Sequence, residues 1–370
     1  MAASGKAEQV VLVLQGGGAL GAYQAGAFQR LAEAGHQPGW VAGISIGAIN
    51  AALICGNPPE RRAEMLETFW HRVTAALPAY SLAGLIPHHL FSDLASAATI
   101  ATGVPGFFSP RLPLAALIPG ALTSMTSFYD TAPLVRTLEE LVDFDYLNTA
   151  GPRLSVGAVE VATGNFAYFD STTTPIGPAH ILASGALPPG FPPVEIDGRL
   201  YWDGGLVSNT PLQYVMEAAG NDPLCIFQVD LFSAEGKHPA NLSEVQQREK
   251  DIRFSSRTRL TTDRYRELNA LSAAADRLRD KLPPELRDDP DLELLRAATP
   301  DALVALVHLI HRHQGFEGAS KDYEFSRLSM IAHWAAGERD VTRTLEHPEW
   351  RDRVPGQGGL QVYDLTRDAD

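Results

Sequence analysis

Two apolar runs, Val10 to Leu14 and Trp40 to Ile44, each break off at a glycine-bearing turn and pass at once into a helical pattern. Continuous apolar runs of this kind suit strands buried on both faces, which belong to a parallel sheet covered by helices. After the first turn Leu20, Tyr23, Ala27 and Leu31 recur at helical spacing until Gly35 stops them, and after the second AINAALICG continues as a helix. A β-α-β-α opening predicts an α/β fold with a mainly parallel central sheet. Downstream, Leu154 to Val161 and Phe166 to Phe169 alternate around Gly164-Asn165 as a hairpin, and Val194 to Ile196 and Leu200 to Trp202 flank the turn pair Asp197-Gly198. Thr210-Pro211 opens a further helix, and Cys225 to Phe232 reads as another buried strand.

Between Pro78 and Phe128 the only formally charged residues are Asp93 and Arg111, which marks residues 78–128 as an apolar, lid-like insertion that buries helices or binds an acyl chain. Beyond Ala234 the chain turns to charged helices. Tyr265, Leu268, Leu271, Ala275, Leu278 and Leu282 form one stripe, and Asp301 to His313 is expected to repeat the helical pattern. These shifts divide the chain into an α/β domain over 8–233 and a helical C-terminal extension over 234–370.

The chain's net charge of −14 argues against nucleic acid as a partner, since such proteins gain affinity from clustered Lys and Arg. Two cysteines beside apolar residues predict free thiols and a reducing, cytoplasmic setting. The N-terminus lacks a signal-peptide pattern, and no stretch reaches the roughly 20 apolar residues of a membrane span. The expectation is a cytoplasmic protein that can touch a lipid surface without crossing it.

Gly16-Gly17-Gly18-Ala19-Leu20-Gly21 satisfies G-x-G-x-x-G, the spacing of dinucleotide-binding turns. A dinucleotide site would carry an acidic residue about 20 residues further on, to hold the ribose, and none is there. The second strand ends instead in Gly43-Ile44-Ser45-Ile46-Gly47, a G-x-S-x-G set between strand and helix. Glycines on both sides permit a tight turn that lifts Ser45 clear of the sheet as a nucleophile. The glycine loop then serves as the oxyanion hole, with N–H groups at the start of a helix aimed at one spot. Asp203, in YWDGGLVSNTPL, is the candidate base. His238 is the nearest residue for an alternative Ser-acid-His triad. His308, His311 and His313 fall at the end of an expected helix, with His313 swung off the shared face, so no metal site is expected. His88, His89 and His180 read as structural or surface residues. Two other functions remain open: a nucleotide- or NAD-binding protein using the glycine loop, and a non-catalytic lipid-surface or partner-binding protein.

Taken together, the glycine motif, the G-x-S-x-G, the stretch ASGALPPGFPPVEIDGRLYWDGGLVSNTPL and its Asp-Gly-Gly resemble the bacterial branch of the patatin-like phospholipase family, over about Glu8 to Leu231. The resemblance implies a three-layer α/β/α sandwich and a Ser-Asp dyad that hydrolyses acyl esters of lipids without a cofactor. Ser45 is then the nucleophile, Asp203 the base, and Gly16, Gly17 and Gly18 surround the oxyanion hole, with Gly21, Gly43, Gly47, Gly204 and Gly205 supporting the motifs. KDYEFSRLSMIAHWAAGERD looks like a C-terminal extension of some bacterial members. Many members carry Lys or Arg where this chain has Leu20, which implies a preference for uncharged or weakly charged esters.

Overall fold

The computed structural model describes residues 7–76, 88–111, 125–220, 222–256, 258–287, 289–297, 303–312, 318, 320–355 and 359–366. The described elements begin with β1 (Gln9–Leu14), α1 (Ala22–Glu33), β2 (Trp40–Gly43), α2 (Ile46–Cys55), α3 (Arg62–Val73) and α4 (His88–Thr102). A short pair, β3 (Ser109–Pro110) and β4 (Tyr129–Asp130), precedes α5 (Ala132–Leu141), α6 (Phe144–Thr149), β5 (Arg153–Glu160), β6 (Phe166–Asp170) and α7 (Pro178–Ser184). Next come β7 (Val194–Ile196), β8 (Arg199–Asp203), α8 (Leu212–Ala218), β9 (Leu224–Asp230), α9 (Leu242–Phe254), α10 (Thr258–Lys281) and α11 (Pro290–Ala297). The order closes with β10 (Val304–Ile310), α12 (Arg327–Glu346), α13 (Pro348–Arg351) and β11 (Leu360–Tyr363).

One sheet runs β11-β10-β9-β1-β2-β5-β8-β7, with β6 paired to β5 as well. From β11 to β5 every pairing is parallel, and β6, β7 and β8 join antiparallel. Alternation along the central strands sends side chains into two separate cores, as a sheet buried on both faces requires. Leu12 and Leu14 of β1, Phe227 and Val229 of β9 and Val307 and Leu309 of β10 enter the larger core, with α1, α2 and α3. Val11, Val13, Ile226, Val304 and Leu306 face the opposite way, against Leu212, Val215 and Met216 of α8 and Tyr265 of α10. The result is the mainly parallel sheet expected from the opening repeat, in the three-layer α/β/α sandwich that the family resemblance implies.

The expected helix over Asp301 to His313 is instead the strand β10, parallel to β9 from Val304 to Ile310; 301–302 and His313 lie outside the described residues. VALVHLI is apolar at odd and even positions alike, because both its faces are buried. Periodicity cannot separate such a run from a buried helix, and its β-branched Val304, Val307 and Ile310 favour the strand. The stripe on α10 is only partly used: Tyr265 and Ala275 are buried, whereas Leu271 and Leu278 stand exposed.

The C-terminal region therefore adds two strands to the sheet and lays α12 across α1. A Cβ on Gly26 of α1 would strike the Trp334 carbonyl, and one on Gly337 of α12 would strike the Tyr23 carbonyl. Glycine on each helix lets the two backbones touch. Among the described residues no helix is long and apolar enough to cross a membrane.

Candidate active site

The site forms where two strands meet end to end along one edge of β5. Ser155 and Val156 pair with β6 while belonging to the stretch that β2 flanks, and Ala158 and Val159 pair with both β6 and β8. Because β6 takes one edge of β5, β2 and β8 must share the other. Gly43, at the end of β2, lies opposite Val156, and Asp203, at the end of β8, lies opposite Ala158. Only Gly157 separates the two positions, and a side chain there would collide with Ile44 and Phe166.

Immediately past β2 the chain turns sharply. Ser45 has φ 55° and ψ −122°, a left-handed backbone that costs a non-glycine residue on the order of 1–3 kcal/mol. Gly43 and Gly47 make the turn possible, since a Cβ on the first would meet the Gly47 carbonyl and on the second the Leu14 carbonyl. The Ser45 N–H donates to Ser184 Oγ at 3.0 Å. Its hydroxyl makes no cap on α2, which starts at Ile46, and lies near enough to Asp203 to lower that carboxyl. The helix presents its positive end to this hydroxyl.

Asp203 is 2% exposed, and its Oδ1 accepts from the Gly205 N–H at 2.7 Å. Burial pushes its carboxyl up to about 7, against the opposing pull of hydrogen bonds from Gly205 and Ser45. A carboxylate poised near neutrality beside a serine hydroxyl can take that proton and give it back. Gly204 packs on the Gly157 carbonyl and Gly205 on Asn209, so neither has room for a side chain.

The glycine loop is braced from behind. Asn209 accepts through its carbonyl from the Gly16 N–H at 3.2 Å and donates through Nδ2 to the Gly16 carbonyl at 2.9 Å. Buried Gln15 accepts from the N–H groups of Leu231 and Phe232 at 2.6 and 2.9 Å and donates to Thr210 Oγ1 at 2.9 Å. Gln24 and Asn50 extend this network to Gly21 and Trp70. Gly16 thus spends its N–H on the scaffold. Those of Gly17 and Gly18, the latter at φ +55°, have no partner among the described residues and lie on the cavity that holds Ser45. Gly21 has no room for a side chain, because a Cβ there would fall 2.9 Å from Trp70.

That cavity, about 310 Å³, holds Gly16, Gly17, Gly18, Ser45 and Asp203 on one side. Aromatic residues dominate the rest: Phe107, Phe108, Phe128, Tyr129 and Phe191, then Phe232, Phe254, Tyr323 and Phe325. The described part of the apolar insertion is therefore a wall of the site, while residues 77–87 and 112–124 lie outside the described residues. Leu20 does not line it. That residue is fully buried in the larger core, so it sets packing rather than the charge a substrate meets.

No histidine lines the cavity among the described residues, and His238 is exposed away from it. His308 sits on β10 with Nδ1 3.9 Å from Asp230 Oδ2, and His180 Nδ1 accepts from the Gly177 N–H at 3.0 Å. No cluster of His, Cys, Asp or Glu suited to a metal occurs among the described residues. Sequence reasoning missed Ser184, Asn209, Phe254, Asp322, Tyr323 and Phe325. The available signals were the polar Asn209 beside the Asp-Gly-Gly turn and the aromatic pair in KDYEF.

A family model described as patatin-like phospholipase matches residues 12–216, and one described as patatin phospholipase matches residues 252–357. No curated protein matches. Similar solved structures include VipD from Legionella pneumophila, at 14% identity and TM-score 0.35, over 89% of this chain and 67% of VipD. Full-length ExoU in complex with full-length SpcU, from the type III secretion system of Pseudomonas aeruginosa, matches at 16% identity and TM-score 0.26, over 66% of this chain and 49% of that one. A second structure of the type III effector ExoU matches at 16% and 0.29, over 90% and 53%. The chain spans about half the length of ExoU.

Proposed function

The chain belongs to the patatin-like phospholipase family, and from that premise we propose that it cleaves carboxylic esters of lipids with Ser45 as nucleophile and Asp203 as its base. The observation that carries this reading is Ser45, on a strained turn, sharing one aromatic cavity with a buried Asp203 whose carboxyl it helps to hold down. Asp203 takes the hydroxyl proton as Ser45 Oγ attacks the acyl carbonyl. The carbonyl oxygen becomes an oxyanion facing the N–H groups of Gly17 and Gly18, a contact worth about 3 kcal/mol per donor. Collapse of the intermediate breaks the ester C–O bond, and Asp203 returns the proton to the departing alcohol. Water, deprotonated by the same carboxylate, then attacks the acyl-serine and releases the fatty acid and free Ser45. The lipid chain lies against the aromatic wall. No step calls for a metal or organic cofactor, and both cysteines, Cys55 and Cys225, are buried and unbridged, which supports a cytoplasmic setting.

Reaction with a fluorophosphonate probe tests the assignment, since only an activated serine is labelled. Ser45→Ala should abolish labelling and lower ester hydrolysis by roughly 10³-fold or more, with the melting curve unchanged. A labelled or active Ser45→Ala protein would remove the nucleophile from this reading.

A further inference from the structure

The Tyr323 hydroxyl is the feature of the cavity that ester cleavage leaves without a role. Tyr323 comes from the C-terminal region, 41% exposed at the cavity wall, and its hydroxyl has no hydrogen-bond partner among the described residues. Burial raises its phenol to about 12, with Asp322, Tyr129 and Asp203 adding to the rise, so it is a proton donor across the working pH range and lies within the field of the Asp203 carboxylate.

The residue is held in place from both sides. Lys250 Nζ bonds Asp322 Oδ1 at 2.7 Å and lies 4.9 Å from the centre of the Tyr323 ring. The reciprocal pair joins Lys321 Nζ to Asp251 Oδ1 at 2.8 Å. Helix α9 and the turn Lys321–Tyr323 are thereby clamped together, and the Asp322 carbonyl rests where a Cβ of Gly18 would be. Such partly buried pairs fix geometry more than they add stability.

The same clamp consumes the nearby cations. Lys250 and Lys321 are committed to carboxylates, and Arg111 Nε donates to the Tyr129 carbonyl at 3.2 Å. Among the described residues the cavity lining includes no Lys, Arg or His, and its only charged members are Asp203 and Asp322. The insertion's segments 77–87 and 112–124 contain no charged residue at all. A phosphate placed here would lose water and, among the described residues, meet two lining aspartates and only cations already committed to carboxylates or to the Tyr129 carbonyl.

We propose, building on the ester-hydrolase reading, that Tyr323 is a specificity residue whose hydroxyl donates to an oxygen of the substrate's alcohol portion, and that this portion is an uncharged polyol rather than a phosphate-bearing headgroup. The leaving alcohol sits beside Tyr323 while the acyl chain occupies the aromatic wall.

Three octanoyl esters test this on the full chain: 1-monooctanoylglycerol, 1-octanoylglycerol 3-phosphate and ethyl octanoate. The first two differ only by the phosphate, and the third offers no alcohol oxygen beyond the ester itself. Wild type should favour monooctanoylglycerol over the phosphate by about tenfold or more in kcat/KM. Tyr323→Phe, which keeps the ring, should lose about fivefold more on monooctanoylglycerol than on ethyl octanoate, with that difference carried by KM. Equal or better use of the phosphate ester would overturn the proposal. So would a Tyr323→Phe variant that slows both neutral esters alike or neither of them. Failure of the underlying reading looks different: wild type then hydrolyses none of the three and takes up no fluorophosphonate.

Discussion

Burial of Asp203 sets opposite demands on activity and stability. As the proposed base it must be ionised, so kcat/KM should rise about tenfold per pH unit below 7 and level off above it, because burial pushes its carboxyl up to about 7. Asp203→Asn should be flat across the same range and nearly as inactive as Ser45→Ala. Stability runs the other way. The folded state holds a proton that the unfolded chain releases near 3.8, so the cost of Asp203 is absent below pH 4, grows up to pH 7 and stays constant above. Urea unfolding should therefore find Asp203→Asn more stable than wild type at pH 8, on the order of 4 kcal/mol, with the difference shrinking toward pH 4. A constant difference across pH would locate the effect elsewhere. Ser45, Asp203 and the glycines were legible because each sits in a short local pattern with its own backbone demand. Ser184 and Asn209 were not, since their contacts join residues 139 and 193 positions apart and leave no local trace.

Elements, unlike single residues, are read from periodicity, and it failed where burial was complete. Helix α2 and strand β10 are each apolar but for one buried polar residue, Asn50 and His308; α2 was recognised from the turn before it, and β10 had no such marker. Leu20 misled for a related reason, because adjacency in the motif did not place it on the cavity. The crossing of α1 and α12 shows what no pattern announces: two glycines, Gly26 and Gly337, separated by most of the chain, each meeting the other helix's backbone. Backbone cannot move aside as a side chain can. Gly26→Ala or Gly337→Ala should cost about 3 kcal/mol, seen as a lowered Tm. Gly177→Ala, where the added methyl meets nothing within 4 Å, is the control and should change stability little.

At the scale of the whole molecule, the sheet and the cavity both draw on the two ends of the chain. Residues 234–370 read in the sequence as an extension, yet β10 pairs with all seven residues of β9, and Phe254, Tyr323 and Phe325 close the cavity. A chain ending at Ser233 would expose the buried β9 edge and the α1 surface that α12 covers. Such a truncation should be insoluble or fail to melt cooperatively, and should show no fluorophosphonate labelling. A soluble, labelled fragment would show that the first 233 residues hold the site unaided.

The central place of β1 also governs when the protein becomes active. β1 leaves the ribosome well before its neighbour β9, at residues 224–230, and before the cavity wall at Tyr323 and Phe325. At translation rates of 5–20 residues per second the interval from β1 to Phe325 is roughly 15–60 s. Throughout it the Ser45 turn has no complete cavity and no finished sheet, and pairing across such sequence distances is intrinsically slow. A nascent chain that has not yet reached Phe325 therefore lacks the finished cavity that the proposed hydrolysis requires.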